Sequence, residues 1–302
     1  MILFVINWLF ALTIVIIRIY QKMDKRCKYC FANTCNRLIM KFPLSFQQTI
    51  EFSEFFNVLI DEKSGISGNE LQRKLHQKLK EFNGIADPFI EEKKESNEIA
   101  LKLYDEWKPK VLDSENPFNL ALRLAIAGNI MDYGTNEYFN VKETISEVIH
   151  TDFAIDQSAQ LKQSIINAKN ILYLGDNAGE IVFDKLLIET MMHPNVTYAV
   201  RGGPILNDAT LFDAEKVGID LVADLISNGY DAPSTVIEHS SRQFQSAFDS
   251  ADLIISKGQG NMEGLMNQND KRIYFLLTVK CNVIAELLQV KKGNFLVFNQ
   301  TQ

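Results

Sequence analysis

The chain has 302 residues, with 38 Asp and Glu against 31 Lys and Arg and a net charge of −7. Its 46% hydrophobic content, 15 Gly and 7 Pro are those of an ordinary globular protein of one large domain or a domain with a cap. The acidic balance argues against a nucleic-acid binder, though it leaves room for a locally positive anion site, and four cysteines, three of them within 27–35, do not make a secreted disulfide framework.

Residues 1–17, MILFVINWLFALTIVII, have only Asn7 and Thr13 as polar side chains, and Arg18, Lys22, Lys25, Arg26 and Lys28 follow at once. With Ile19 and Tyr20 the run approaches the about 20 residues that span a bilayer. No charge precedes it and no small-residue cleavage site closes it, which speaks against a cleaved signal peptide. Two readings stand: a membrane anchor with its N-terminus outside, or an extension ahead of a start at Met23. Both leave the remainder in the cytoplasm, and any membrane contact is confined to residues 1–20.

Cys27 and Cys30 form a CxxC, with Cys35 close behind. A structural zinc site takes four Cys or His ligands. Only these three thiols are local, His76 is the nearest His in sequence, and Cys281 joins them only through the fold. Reduced thiols on one helix is the reading taken.

From 31 to 146 the periodicity is helical. FFNVLI at 55–60, ELQRKLHQKL at 70–79 and SNEIALKLYDEW at 96–107 place apolar residues at i, i+3, i+4. Gly65, Gly68, Gly84, Pro88 and Pro109 punctuate them. The charge run 91–95 reads as a solvated helix face. Asn116-Pro117 opens another helix, FNLALRLAIAGNIMDYG, whose Ala121, Ala125, Ala127 and Gly128 are small enough for close packing. Asn129 and Asp132 share one face of it at i, i+3; capping or facing water is the bland alternative.

From 151 onward the pattern alternates. Strands are expected at 171–174, 196–200, 220–223, 252–256, 272–279 and 295–298, with helices between them. That alternation implies a mostly parallel sheet covered by helices on both faces. The fold class is therefore α/β: an open, mostly parallel Rossmann-like sheet, with an N-terminal all-helical domain. The expected division is a hydrophobic segment 1–22, a helical domain 23–150 and an α/β domain 151–302. GxGxxG after the first strand, a Walker-type GK[ST] and a GxSxG elbow are all missing, which disfavours dinucleotide, ATP and serine-hydrolase chemistry. The four histidines sit at none of the strand ends, so a His-based catalyst is disfavoured too.

The strand ends carry the chemistry. ILYL at 171–174 stops at Gly175, and Asp176-Asn177 follow where a helix begins. Such a pair caps the helix or offers two hard oxygens to a divalent cation. VTYAV at 196–200 ends in Arg201, able to hold a phosphate by a charge-assisted pair, and Asn207-Asp208 precede the next helical stretch. DLIIS at 252–256 ends in Lys257-Gly258-Gln259-Gly260-Asn261, and RIYFLLTV at 272–279 in Lys280. If these strands run parallel, the ends converge, because open α/β sheets bind ligands at the carboxyl ends of their strands. Hard oxygens flanked by cations suit phosphoryl chemistry.

LGDNAGE, RGGPILNDAT, SNGYDAP, SKGQGN and LTVKC, in this order, resemble the metal-dependent damage-control phosphatases, formerly a domain-of-unknown-function family, from Met23 to the C-terminus. The resemblance implies a phosphatase of small phosphate esters, sugar phosphates or damaged phosphometabolites, requiring a divalent metal such as Mn²⁺, Ni²⁺, Co²⁺ or Mg²⁺. It implies Asp176, Asn177 and Asp208 as metal ligands, Lys257, Gly258, Gln259, Gly260, Asn261 and Lys280 around the phosphate, and Asn129 and Asp132 along the substrate cleft. Asp176, Lys257 and Lys280 are taken as catalytic and Arg201 as substrate-binding. Glu180, one turn after Asp176, orients water or a substrate hydroxyl, or acts as a capping-box partner. Attack by metal-bound hydroxide and attack by Asp176 itself both remain open. The rivals are an α/β module that binds a phosphorylated ligand or metal without turnover, and a carboxyl methyltransferase.

Overall fold

Serine and glycine punctuation delimits the first helices in the computed structural model of the chain, which describes residues 23–61, 65–129, 145 and 149–300. The apolar segment 1–22 and Asp132 lie outside the described residues. Among the described residues, no helix is long and apolar enough to cross a membrane. The chain splits into two compact units, Met1–Ile85 and Ala86–Gln302.

The first unit contains α1 (Lys25–Lys41), α2 (Phe46–Ile60) and α3 (Gly68–Asn83). Ser45 and Gln48 close a reciprocal capping box at the start of α2, and Ser67 caps α3. Gly84, at φ 69°, ends α3 in the left-handed region that favours glycine. Phe52, Phe56, Leu71, Leu75 and Leu79 form its buried interior. Cys27, Cys30 and Cys35 lie on α1 as reduced thiols, Cys30 exposed and Cys35 buried.

In the second unit, α4 (Ile90–Leu112) and α5 (Pro117–Ala127) pack with the sheet's own helices. The helical stretch expected as one domain to residue 150 is thus partitioned at residue 85. The reason is the apolar face of α4 and α5: Leu103, Val111, Ala121, Leu122 and Ala125 are fully buried in one cluster with sheet residues Tyr173, Tyr198 and Ile255. Asn116 caps α5 and Pro117 occupies its first turn, where a missing N–H costs nothing. A Cβ on Gly128, just past α5, would lie 2.9 Å from the Phe183 ring and 3.4 Å from Glu180 Cα, so only glycine lets this end of α5 approach so closely.

The sheet consists of β1 (Ile155–Asp156), β2 (Ile171–Leu174), β3 (Val196–Val200), β4 (Asp224–Ser227), β5 (Leu253–Lys257), β6 (Ile273–Thr278) and β7 (Phe295–Asn299), in the order β1-β7-β6-β5-β2-β3-β4. Between them run α6 (Ser158–Asn167), α7 (Glu180–Met191), α8 (Leu211–Val217), α9 (Arg242–Ser250), α10 (Gly258–Leu265) and α11 (Asn282–Leu287). Strands β2 to β6 pair in parallel, and β6 pairs with β7 antiparallel. Alternate residues of a strand face opposite sides: Ile171 and Tyr173 join the core under α4, α5 and α7, Leu172 and Leu174 the core under α9 and α10.

Two details differ from expectation. The apolar run 220–223 is not a strand; 219–221 is a 3₁₀ turn after Gly218, and pairing with β3 starts only at Asp224. Ile219, Val222 and Ala223 pack on the core, while Leu221 is exposed. The last strand reverses: β7 pairs antiparallel with β6 and parallel with β1. The order of neighbours switches between β2 and β5: from β2 the chain first moves to β3 and β4, then returns to the other side as β5. A ligand crevice is expected at the carboxyl ends of these two strands.

Candidate active site

Backbone hydrogen bonds stitch the loops after β2 and β3 together. Asn177 and Asp208 form an isolated antiparallel bridge. Ala178 N donates to Asn207 O at 2.9 Å, Ala209 N to Asp176 O at 2.8 Å, and Arg201 N to Ala209 O at 3.0 Å. The expected metal ligands Asp176, Asn177 and Asp208 therefore sit side by side at the switch point, all three buried.

Arg201 lies between them. Its Nη2 meets Asp176 Oδ1 at 3.1 Å, its Nε meets Asp208 Oδ2 at 2.5 Å, and its Nη1 donates to Asn261 Oδ1 at 2.6 Å. Asn261 in turn donates to Gly175 O and Lys257 O, and accepts from Thr235 Oγ1 at 2.8 Å. The sequence pattern assigns Arg201 and Asn261 to the substrate. Here both are 3% exposed or less, and each spends its polar atoms inside the protein, tying the carboxylate loops to β5. Gly258 completes this corner at φ +79°; a Cβ there would stand 2.0 Å from Asp176 Oδ2.

A second buried group lies behind the first. Lys257, fully buried, donates to Ala125 O at 2.8 Å, Glu180 Oε1 at 2.8 Å and Asp184 Oδ1 at 2.5 Å. An ammonium has three N–H donors, so none is left for a phosphoryl group. The expectation that Lys257 clamps phosphate directly does not fit this arrangement; its charge compensates Glu180 and Asp184. Tyr173 and Tyr198, stacked with centroids 5.1 Å apart, donate to the two oxygens of Asp184 at 2.8 and 2.7 Å. Burial lowers the affinity of Lys257 for its proton, but Asp184 and Glu180 outweigh it and raise the pKa. Glu180 Oε2 accepts from Asn129 Nδ2 at 2.7 Å and Asn177 Nδ2 at 3.1 Å, so Glu180 is neither a capping partner nor turned to solvent.

Four buried carboxylates, Asp176, Glu180, Asp184 and Asp208, thus face two buried cations, Arg201 and Lys257. Fully ionised, the cluster holds an excess of two negative charges. Asp176 registers it: burial first, then Glu180 and Asp208, push its carboxyl well above the usual range, against the pull of Arg201 and Lys280. Burial and Glu180 likewise raise Asp184, against Lys257. A divalent cation offsets such an excess without protons.

Among the described residues, no three His, Cys, Asp or Glu side chains surround one point. The donor set is two carboxylates and an amide, all hard oxygens of the kind that Mg²⁺ and Mn²⁺ accept. Beside it the buried Asn129 Oδ1 has no hydrogen-bond partner among the described residues. These features fit a hard divalent cation.

The remaining expected residues occupy the neighbouring rim. Half-buried Lys280 follows β6, donates its backbone N–H to Gln259 Oε1 at 2.9 Å, and its charge reaches Asp176. The Gln259 amide also donates to Glu263 and Cys281, so Gln259 fastens the β5 and β6 loops. Residues Gly258, Gln259, Gly260 and Asn261 form the first turn of α10, whose free amides and dipole favour an anion.

Sequence reasoning missed Asp184, Asn97 and Thr235. Asp184 left a signal: it is an acidic residue within the apolar EIVFDKLL, four positions after Glu180 and on the same helix face. Asn97, whose Oδ1 accepts from Gly179 N at 2.7 Å, and Thr235 left none.

An open, mostly parallel sheet with hard oxygen ligands, cations and a helix N-terminus at its switch point defines an α/β enzyme of the phosphoryl-handling class. The chain belongs to the family of the damage-control phosphatase ARMT1-like domain, whose model matches residues 23–296. It is 36% identical over 284 residues to a damage-control phosphatase of Pyrococcus horikoshii, covering 90% of this chain and 96% of that one. To a damage-control phosphatase of Archaeoglobus fulgidus it is 34% identical over 231 residues, covering 74% and 80% of the two chains. The crystal structure of a DUF89 family protein from Pyrococcus horikoshii superposes with a TM-score of 0.82 at 34% identity, covering 92% of this chain and 99% of that one.

Proposed function

We propose that this protein is a divalent-metal-dependent phosphatase that hydrolyses small phosphate esters, sugar phosphates and damaged phosphorylated metabolites among them, in the cytoplasm. The observation that carries the reading is the stitched pair of loops: it holds Asp176, Asn177 and Asp208 together in a buried, doubly negative cluster beside the N-terminus of α10. The phosphatase names of the two archaeal relatives support it.

Asp176, Asn177 and Asp208 would hold the cation. When bound, it supplies a Lewis acid for the phosphoryl oxygens and acidifies a coordinated water. The chain's own residues do the rest. Arg201 keeps Asp176 and Asp208 in one orientation through two ion pairs. The first-turn amides of α10 and the ammonium of Lys280 stabilise charge spread over the phosphoryl oxygens in the transition state. The loops around them exclude water, which strengthens each of these interactions.

The test is phosphate release from p-nitrophenyl phosphate and a panel of sugar phosphates, by chelator-treated protein and after addition of Mn²⁺, Ni²⁺, Co²⁺ or Mg²⁺. Release is expected only with metal. Tight binding of the phosphorylated compounds without release under any metal would replace the phosphatase with a binding module. Lys280→Ala gives a finer result. Turnover is expected to fall about a hundredfold, the roughly 3 kcal/mol of one transition-state donor, while metal affinity stays within about twofold because an ammonium is not a ligand. Near wild-type turnover at saturating metal and substrate would remove Lys280 from the site.

A further inference from the structure

Asn177 is a metal ligand only if its carboxamide presents oxygen, and nothing within the amide ensures that. Rotation by half a turn puts an NH₂ group, which repels a cation, in the same place. The structure shows what fixes the choice. Asn177 Nδ2 donates to Glu180 Oε2 at 3.1 Å and to Asp176 Oδ2 at 2.9 Å. Asn129 Nδ2 donates to the same Glu180 oxygen at 2.7 Å. One Glu180 oxygen thus collects both NH₂ groups, Asp176 Oδ2 accepting from them as well, at 2.9 Å from Asn177 and 3.5 Å from Asn129, and both amide oxygens are turned away from Glu180. Among the described residues, the buried Asn129 oxygen has no hydrogen-bond partner.

Glu180 is itself held from behind. Its other oxygen accepts from Lys257 at 2.8 Å, and Lys257 is fixed by Asp184, which Tyr173 and Tyr198 grip through their hydroxyls. Glu180 is 1% exposed, and Asp184 and Lys257 are fully buried. Every link is a hydrogen bond with a defined donor, running from the sheet core to the two amides. A carboxylate that only accepts, braced by an ammonium that only donates, leaves the amides one orientation.

We infer that Glu180, braced by Lys257 and Asp184, is a positioning residue that presents the carboxamide oxygens of Asn177 and Asn129 to a divalent cation and its bound water. This rests on the metal-site reading of the preceding section. Outer-shell partners of this kind set the orientation of a ligand, and their loss typically costs ten- to a hundredfold in metal affinity.

The experiment is calorimetric titration of Mn²⁺ into the chelator-treated full chain. Glu180→Gln keeps the size but brings its own NH₂ group, which competes for the position and lets either asparagine turn over. Mn²⁺ affinity is expected to drop ten- to a hundredfold. Glu180→Asp keeps the charge and shortens the reach, so it separates orientation from simple electrostatics and serves where the Gln variant does not fold; a drop of at least tenfold is expected there too. The decisive measurement is the coupling: in an Asn177→Ala background Glu180→Asp is expected to cost several-fold less than in the wild type, because only Asn129 is left for Glu180 to orient. Wild-type Mn²⁺ affinity in Glu180→Asp, or the same loss with and without Asn177, overturns the inference. A wild-type chain that binds no divalent cation at all instead overturns the metal site itself.

Discussion

Asp208→Ala is expected to abolish metal-dependent phosphate release. Asp208 is one of two carboxylates in the proposed donor set, and it is 3% exposed. Its removal halves the negative excess of the buried cluster and takes away a hard oxygen. The loss of metal affinity is expected to exceed the ten- to hundredfold typical of an outer-shell partner, and turnover falls with it. The fold persists, because Arg201 keeps its contacts to Asp176 and Asn261 and the bridge between the two loops is made by backbone. Asp208→Asn separates the two effects: it retains an acceptor for Arg201 and loses only the charge, so its thermal midpoint stays near that of the wild type while metal affinity still falls. The measurements are Mn²⁺ titration, phosphate release and a thermal melt on each purified variant. Unchanged metal-dependent turnover in Asp208→Ala removes this residue from the site.

Lys257→Met is expected to destabilise the protein by about 3–5 kcal/mol, the usual cost of removing one partner from a buried ion pair. That is a large share of a stability of roughly 5–15 kcal/mol. Methionine fills much of the volume, so the loss isolates the charge. Glu180 and Asp184 are left buried without their shared cation, and Ala125 O loses its donor. Adding Asp184→Asn to Lys257→Met removes one orphaned charge and is expected to recover part of the loss. Urea unfolding of the wild type, the single and the double variant gives the comparison. The alternative is sharp: if Lys257→Met melts like the wild type but turns over about a hundredfold more slowly with metal affinity intact, Lys257 is the phosphate clamp its place at a strand end suggests.

The contrast between Lys257 and Lys280 shows how far the sequence carries. Both follow an apolar strand of the parallel sheet, and on the page they look alike. Lys280 keeps a place on the rim, half-buried and acting on Asp176 through space. Lys257 is turned inward by partners 132, 77 and 73 residues away in the chain. No local pattern announces an encounter over such separations. The same holds for Arg201. Its guanidinium is as suited to phosphate as to carboxylate, and two neighbouring acids claimed it first.

What the sequence alone determined is local in origin. Short apolar runs bounded by glycine and polar residues marked β2, β3, β5, β6 and β7 to within a residue or two, because a buried parallel strand is a continuous apolar run. The same runs placed Asp176, Asn177, Asp208 and Lys280 at strand ends, and the ordered motifs around them identified the family. The tertiary structure alone decided which charges meet. It moved α4 and α5 to the sheet, because their apolar faces match it, and it set β7 antiparallel to β6. It also paired Lys257, Arg201 and Glu180 with buried partners inside the protein, because a buried ionisable side chain goes to whichever opposite charge the packing brings within hydrogen-bond reach.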